Sequence, residues 1–175
     1  MRQTVARMSA RLSFDPIREA RRQWDAHWGP EATPAMGAVT SIMRAHQILL
    51  ARLNQSLAPW DLTFPRYEAL MLLFYSRNGE LPLGKMGDRL QVHRASVTNV
   101  VDRLVAQGFV DRVRHEQDRR TVLARITPAG RVAAQEATAV LNAERFDIAP
   151  LGEDEADRLS DLIEPLRREA GDFTA

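Results

Sequence analysis

Cysteine is absent from the 175 residues, which excludes disulfides, thiolate metal sites and thiol-based redox sensing together. Histidine is scarce. His27, His46, His93 and His115 are scattered, with no metal-ligand spacing, no paired carboxylates and no nucleophile beside a base, so no catalytic constellation can be assembled from them. The chain therefore reads as a non-enzyme with no metal and no cofactor. It also lacks any run of about eighteen apolar residues, and its first residues, MRQTVARMSARL, hold no continuous apolar core. Neither a membrane span nor a secretory signal is expected, and a cytoplasmic location is. Lysine is nearly missing, since Lys85 is the one lysine among 24 basic residues. Arginine suits phosphate forks, although a GC-rich genome produces the same bias. What is present is globular in character, at 45% hydrophobic and 27% charged. A chain of this length buries roughly 70% of its unfolded surface, enough for one domain or a compact pair of subdomains.

Periodicity and punctuation predict a mainly helical chain with one small β-hairpin. Asp15-Pro16 is a cap followed by a proline at the first helical position, opening a helix to about Trp28 that GPEATP breaks. A second helix over about 34–58 carries an apolar stripe of Val39, Ile42, Met43, His46, Leu49, Leu50, Leu53 and Leu57. Thr63 and Pro65 start a third, PRYEALMLLFYS, which Asn78-Gly79 ends. A short helix over 83–90 precedes one from about Arg94, in which Val97, Val101 and Leu104 recur at i, i+4 and i+7 with Val100 and Val105 beside them. Gly108 stops that helix as a glycine just past its end does.

A charged hairpin follows at once: Val110, Arg112 and Arg114 alternate with Asp111 and Val113, then come the tip HEQDRR and the β-branched return TVLARIT. Thr127-Pro128 caps a long helix to about Arg145, and a last helix over about 153–169 presents Ala156, Leu159, Leu162, Ile163 and Leu166 on one face. The apolar faces outside the hairpin region exceed what one small domain needs to cover itself, and a homodimer is their simplest use.

Charge is separated along the chain. From Lys85 to Arg125 nine cationic side chains oppose five acids, an excess of +4, whereas residues 131–175 hold five arginines and eleven acids, −6. With +1 overall, any footprint for a polyanion is local. The face of the fifth helix opposite its apolar stripe carries Ala95, Ser96, Thr98, Asn99, Asp102 and Arg103, small or hydrogen-bonding residues that let a helix approach base edges.

The stretch SVTNVVDRLVAQGFVDR, the tip Asp118-Arg119-Arg120 and the following LARITPAGR resemble the MarR family of winged helix-turn-helix transcription regulators. The likeness runs from about residue 35 to 166 and is dense over 83–130. It implies an intertwined homodimer built through the N- and C-terminal helices, with an N-terminal extension and first dimerisation helix at 1–58, a winged helix-turn-helix over 59–127 and C-terminal dimerisation helices at 128–175. Two reading heads would then face a pseudo-palindromic duplex DNA operator whose half-sites lie about one helical turn apart. The resemblance makes Arg120 the minor-groove residue, Asp118 its orienting partner and Arg119 a further tip contact. Arg94, Ser96, Thr98 and Asn99 become the major-groove set with Arg103 beside them, each able to touch phosphate instead of base. Arg112 and Arg114 are either phosphate contacts or ordinary solvated strand charges.

Members of the family often release DNA on binding a small aromatic or lipophilic acid, and the segments lining that crevice would supply Trp24, His46, Trp60, Phe64 and Tyr67. The same aromatic set also reads as core, and His46 as a satisfied core histidine rather than a sensor. The appended N-terminal helix with Trp24 is similar to that of the urate and trans-aconitate responsive branch. That branch has an arginine where this chain has Val100 and an aspartate where it has Glu68, so a multiply charged anion would lack its counter-ion. The expected function is thus sequence-specific DNA-binding regulation, as a repressor. The rival reading is a winged-helix protein-interaction module without ligand response.

Overall fold

The computed structural model describes residues 12–115 and 121–174. The expected tip residues Asp118, Arg119 and Arg120 lie outside that range. Two units divide between Ile48 and Leu49, inside a continuous helix.

The first unit holds α1 (Pro16–Trp28) and the start of α2 (Thr33–Ser56). Asp15 accepts from the Ile17 N–H at 2.9 Å, satisfying one of the donors every helix start leaves open. Glu19 receives Arg22 through two hydrogen bonds of 2.9 and 2.7 Å. The Arg22 guanidinium, then the Gln23 amide, hold its carboxyl down at about 2. The buried Thr33 hydroxyl donates to Asp25, joining α1 to the first turn of α2.

The second unit continues α2, which stops two residues short of the expected end because Pro59 can donate no helical hydrogen bond; a 3-10 turn, Ala58–Trp60, follows. In α3 (Phe64–Tyr75) the first free N–H, that of Phe64, is taken by the Asn54 side chain at 2.7 Å rather than by Thr63. Next come β1 (Glu80–Pro82), α4 (Leu83–Leu90), α5 (Arg94–Ala106), β2 (Val110–Arg114) and β3 (Val122–Ile126). Then α6 (Pro128–Ala143), a turn at Arg145–Asp147 and α7 (Glu153–Glu169) complete the chain. The three strands form an antiparallel sheet in the order β1-β3-β2. β1 is an addition to the expected hairpin. Three residues are too short to show alternation, and the strand exists by pairing Glu80, Leu81 and Pro82 with Arg125, Ala124 and Leu123 of β3.

The core of this unit gathers Leu57, Leu70, Leu73, Met86, Val97, Val101, Leu104, Val110 and Leu141, all without solvent exposure. Each such side chain contributes about 1.5–3 kcal/mol by burial. The α2 stripe divides: Leu53 and Leu57 are buried, whereas Val39, Ile42 and Met43 are exposed. His46 is exposed too, which corrects its reading as a core histidine. On α7, Leu159, Leu162 and Leu166 stand 44, 74 and 62% exposed. α6 ends before Arg145 because Arg145, Phe146 and Asp147 all take left-handed backbone, with φ of 51, 49 and 61°. Among the described residues no helix is long and apolar enough to cross a membrane.

Candidate nucleic-acid interface

α4 and α5 form a helix-turn-helix. Gln91 turns the chain in left-handed conformation, and the Val92 N–H closes the turn on Gly87 O at 3.2 Å. Val97, Val101 and Leu104 bury one side of α5 against Met86 and α3, and that burial forces the opposite face outward. Ala95, Ser96, Asn99, Asp102 and Arg103 are exposed there, and Thr98 is half-buried. A row of small and amide side chains on an open helix can enter a major groove and offer donors and acceptors to base edges. Arg94 opens this helix.

The far end of α5 is closed by a Schellman pair, Gly108 N to Val105 O at 2.9 Å and Phe109 N to Leu104 O at 3.0 Å. Gly108 has a φ of 75°, which any L side chain would find strained. Thr127, the cap of α6, sits directly on this closure. Its hydroxyl donates to Gly108 O at 2.8 Å and accepts from Gly130 N at 3.0 Å, while its N–H donates to Phe109 O at 3.0 Å.

The strand arginines separate into three situations. Arg112 reaches from β2 to Asp102 of α5 at 2.7 Å, so its charge is engaged in tying the strand to the reading helix. Arg125 is held by Glu80 across the sheet at 2.6 Å. Arg114 is exposed near the tip. Neither Arg112 nor Arg125 could be distinguished by sequence from a free cation, because their acids lie ten and forty-five positions away.

One residue escaped sequence reasoning altogether. Arg66 of α3 lines an open groove of about 670 Å³ together with Asn99 and Arg103 of α5. It stands in a helix that reads as buried, and only the packing of α3 against α5 places its charge beside the reading face.

The residues expected to line a ligand crevice fall in both units. Trp24 and His46 belong to the first, and both are exposed. Trp60, Phe64 and Tyr67 belong to the second. There Tyr67 is buried with its hydroxyl bonded to Thr138 at 2.9 Å, and the Trp60 indole donates to Glu136 at 2.9 Å. Both polar handles are thus occupied by α6. No group of three or more histidine or acidic side chains among the described residues is placed to hold a metal ion.

The family model "MarR family" matches residues 62–122, from the turn before α3 to the start of β3. A MarR family transcriptional regulator from Streptomyces coelicolor is 46% identical, with a TM-score of 0.76 over 81% of this chain and 99% of that one. This chain belongs to the MarR family. The fold is shared more widely within it. A mutant of MarR from E. coli complexed with operator DNA has a TM-score of 0.68 at 22% identity, over 78% of this chain and 97% of that one. The organic hydroperoxide resistance transcriptional regulator of Bacillus subtilis is 34% identical over 77 residues, 44% of this chain and 51% of the relative. The match spans about half or less of the length of the curated relatives that resemble this MarR protein.

Proposed function

We propose that this MarR-family protein is a transcriptional repressor that binds a pseudo-palindromic operator as a homodimer. The observation that carries the proposal is the face of α5. Its Val97, Val101 and Leu104 stripe is wholly buried, its polar side is open, and both its ends are held by hydrogen bonds and by the Asp102–Arg112 pair. Ser96, Thr98 and Asn99 read base edges, with Arg94 at the helix start, while Arg66, Arg103 and Arg114 meet phosphates. Arg112 acts mainly through Asp102 by holding the wing strand to the reading helix. The tip, which lies outside the described residues, supplies Arg120 to the minor groove, with Asp118 orienting it and Arg119 beside it.

Residues 1–58 and 128–175 provide the dimerisation helices around a reading head at 59–127. The open leucines of α7 support that layout, and a DNA-associated cytoplasmic protein follows from it. The E. coli relative was captured on operator DNA, which agrees with the same use of the shared fold. Release by a small aromatic or lipophilic acid is the switch that suits the exposed Trp24 and the half-buried Trp60 and Phe64, with His46 and Tyr67 from the same segments. The Bacillus subtilis relative is named for hydroperoxide resistance, but with no cysteine in these 175 residues a thiol cannot be the sensor here.

The test is retention of fragments from the protein's own genome, followed by mobility titrations on the retained site. Arg120→Ala is expected to weaken operator binding by about 1–3 kcal/mol with thermal stability unchanged. Binding no tighter to a retained palindrome than to random duplex would make the protein an interaction module instead.

A further inference from the structure

The end of the reading helix and the start of α6 are joined by more than chain continuity. Thr127 touches three groups at once: the Gly108 carbonyl at 2.8 Å, the Gly130 N–H at 3.0 Å and, through its own N–H, the Phe109 carbonyl at 3.0 Å. Gly130 completes the contact by lacking a side chain. A Cβ there would lie 2.1 Å from the Phe109 oxygen, so the first turn of α6 rests directly on the closure of α5. Beyond this point α6 is bound to the rest of the head at Thr138 to Tyr67, at Glu136 to Trp60 and at Glu144 to Ser56. It then hands the chain through the left-handed corner at Arg145–Asp147 to α7 and its open leucines.

We infer that Thr127 is a positioning residue that sets the tilt of α5 against α6, and through it the half-site spacing the dimer accepts. The inference rests on the proposed dimeric operator binding. The lever arm gives its scale. α5 has thirteen residues, about 20 Å of helix at 1.5 Å per residue. A tilt of about 10° at its Gly108 end moves the Arg94 end by roughly 3.4 Å, one base-pair step of B-DNA. Ser96 and Asn99 lie toward that moving end. The contacts each head makes with its own half-site would survive such a tilt, because the Asp102–Arg112 pair ties the wing strand to α5 and the two move together. What changes is the register of two heads on one duplex.

The experiment compares the wild type, Thr127→Ser and Thr127→Val on three kinds of duplex: a single half-site, the full operator, and operators with the central spacer lengthened or shortened by one base pair. Serine keeps the hydroxyl that makes two of the three contacts; valine keeps the shape and loses it. The expected result is a half-site affinity equal within twofold for all three proteins. Thr127→Val should lose about tenfold on the native spacing and bind the altered spacings as well as the native one, and Thr127→Ser should behave as wild type. A Thr127→Val protein that keeps the sharp native preference overturns the inference. So does one whose half-site binding falls as far as its full-site binding, or one that does not fold, since the contact would then serve the fold of the head alone. A wild type indifferent to spacing removes the dimeric reading itself, and that result is visible without any variant.

Discussion

At the scale of single residues, two glycines separate conformational from steric demand. Gly108 has a φ of 75° with nothing within 4 Å of where a Cβ would stand. Gly108→Ala should therefore cost only the left-handed penalty of about 1–2 kcal/mol. Gly130 has ordinary backbone, but a Cβ there would lie 2.1 Å from the Phe109 carbonyl oxygen and 3.0 Å from Ile126 Cγ1. Backbone would have to move on both sides, and Gly130→Ala should cost about 3 kcal/mol or more, at the upper end of overpacking. Urea titration of both variants checks the order. A Gly130→Ala protein no less stable than Gly108→Ala would mean that α6 does not approach α5 this closely in solution. Arg112 makes the complementary point about charge: with its side chain 35% exposed and that of Asp102 59% exposed, their bond adds little stability, and its value lies in orientation.

At the scale of elements, α7 is the clearest case of a helix that the chain by itself leaves unfinished. It has a Glu155 side chain reaching back to the Gly152 N–H at 2.8 Å, acids in its first turn and arginines in its last, all of which favour helix against its own dipole. None of its residues is buried. A second copy covering Leu162 and Leu166 would gain about 1.5–3 kcal/mol per side chain. The double variant Leu162→Glu, Leu166→Glu should accordingly run as a monomer in light scattering with its helical circular dichroism retained, since neither leucine supports the fold of its own chain. A stable dimer of that variant would place the interface on other helices.

At the scale of the whole molecule, the separation of charge decides how DNA is held. The basic stretch 85–125 at +4 and the acidic stretch 131–175 at −6 leave the whole chain at only +1 once the remaining residues are added, so in the proposed dimer affinity would come from local contacts that two-fold symmetry doubles. Each phosphate neutralised contributes about 0.9 to the slope of log affinity against log salt. Arg103→Ala, which removes one contact per head, should flatten that slope by about 1.8 on the full operator. An unchanged slope would show that Arg103 does not touch phosphate.

The sequence alone determined what depends on neighbours along the chain. The cap and proline pairs at Asp15-Pro16 and Thr127-Pro128 start helices where expected, the Val97, Val101 and Leu104 stripe is the buried side of α5, and Gly108 closes it. Those signals are local because caps, periodicity and left-handed turns act within a few residues. Tertiary structure decided everything that needs a distant partner. β1 forms only because β3 pairs with it, Arg112 and Arg125 are engaged by acids that sequence cannot bring near, and Arg66 gains its place beside the reading helix from packing. The Val39, Ile42, Met43 and His46 part of the α2 stripe reads as core by period, yet it stands exposed among the described residues. Periodicity reports that a face is apolar, and only the assembled fold reports what, if anything, is packed against it.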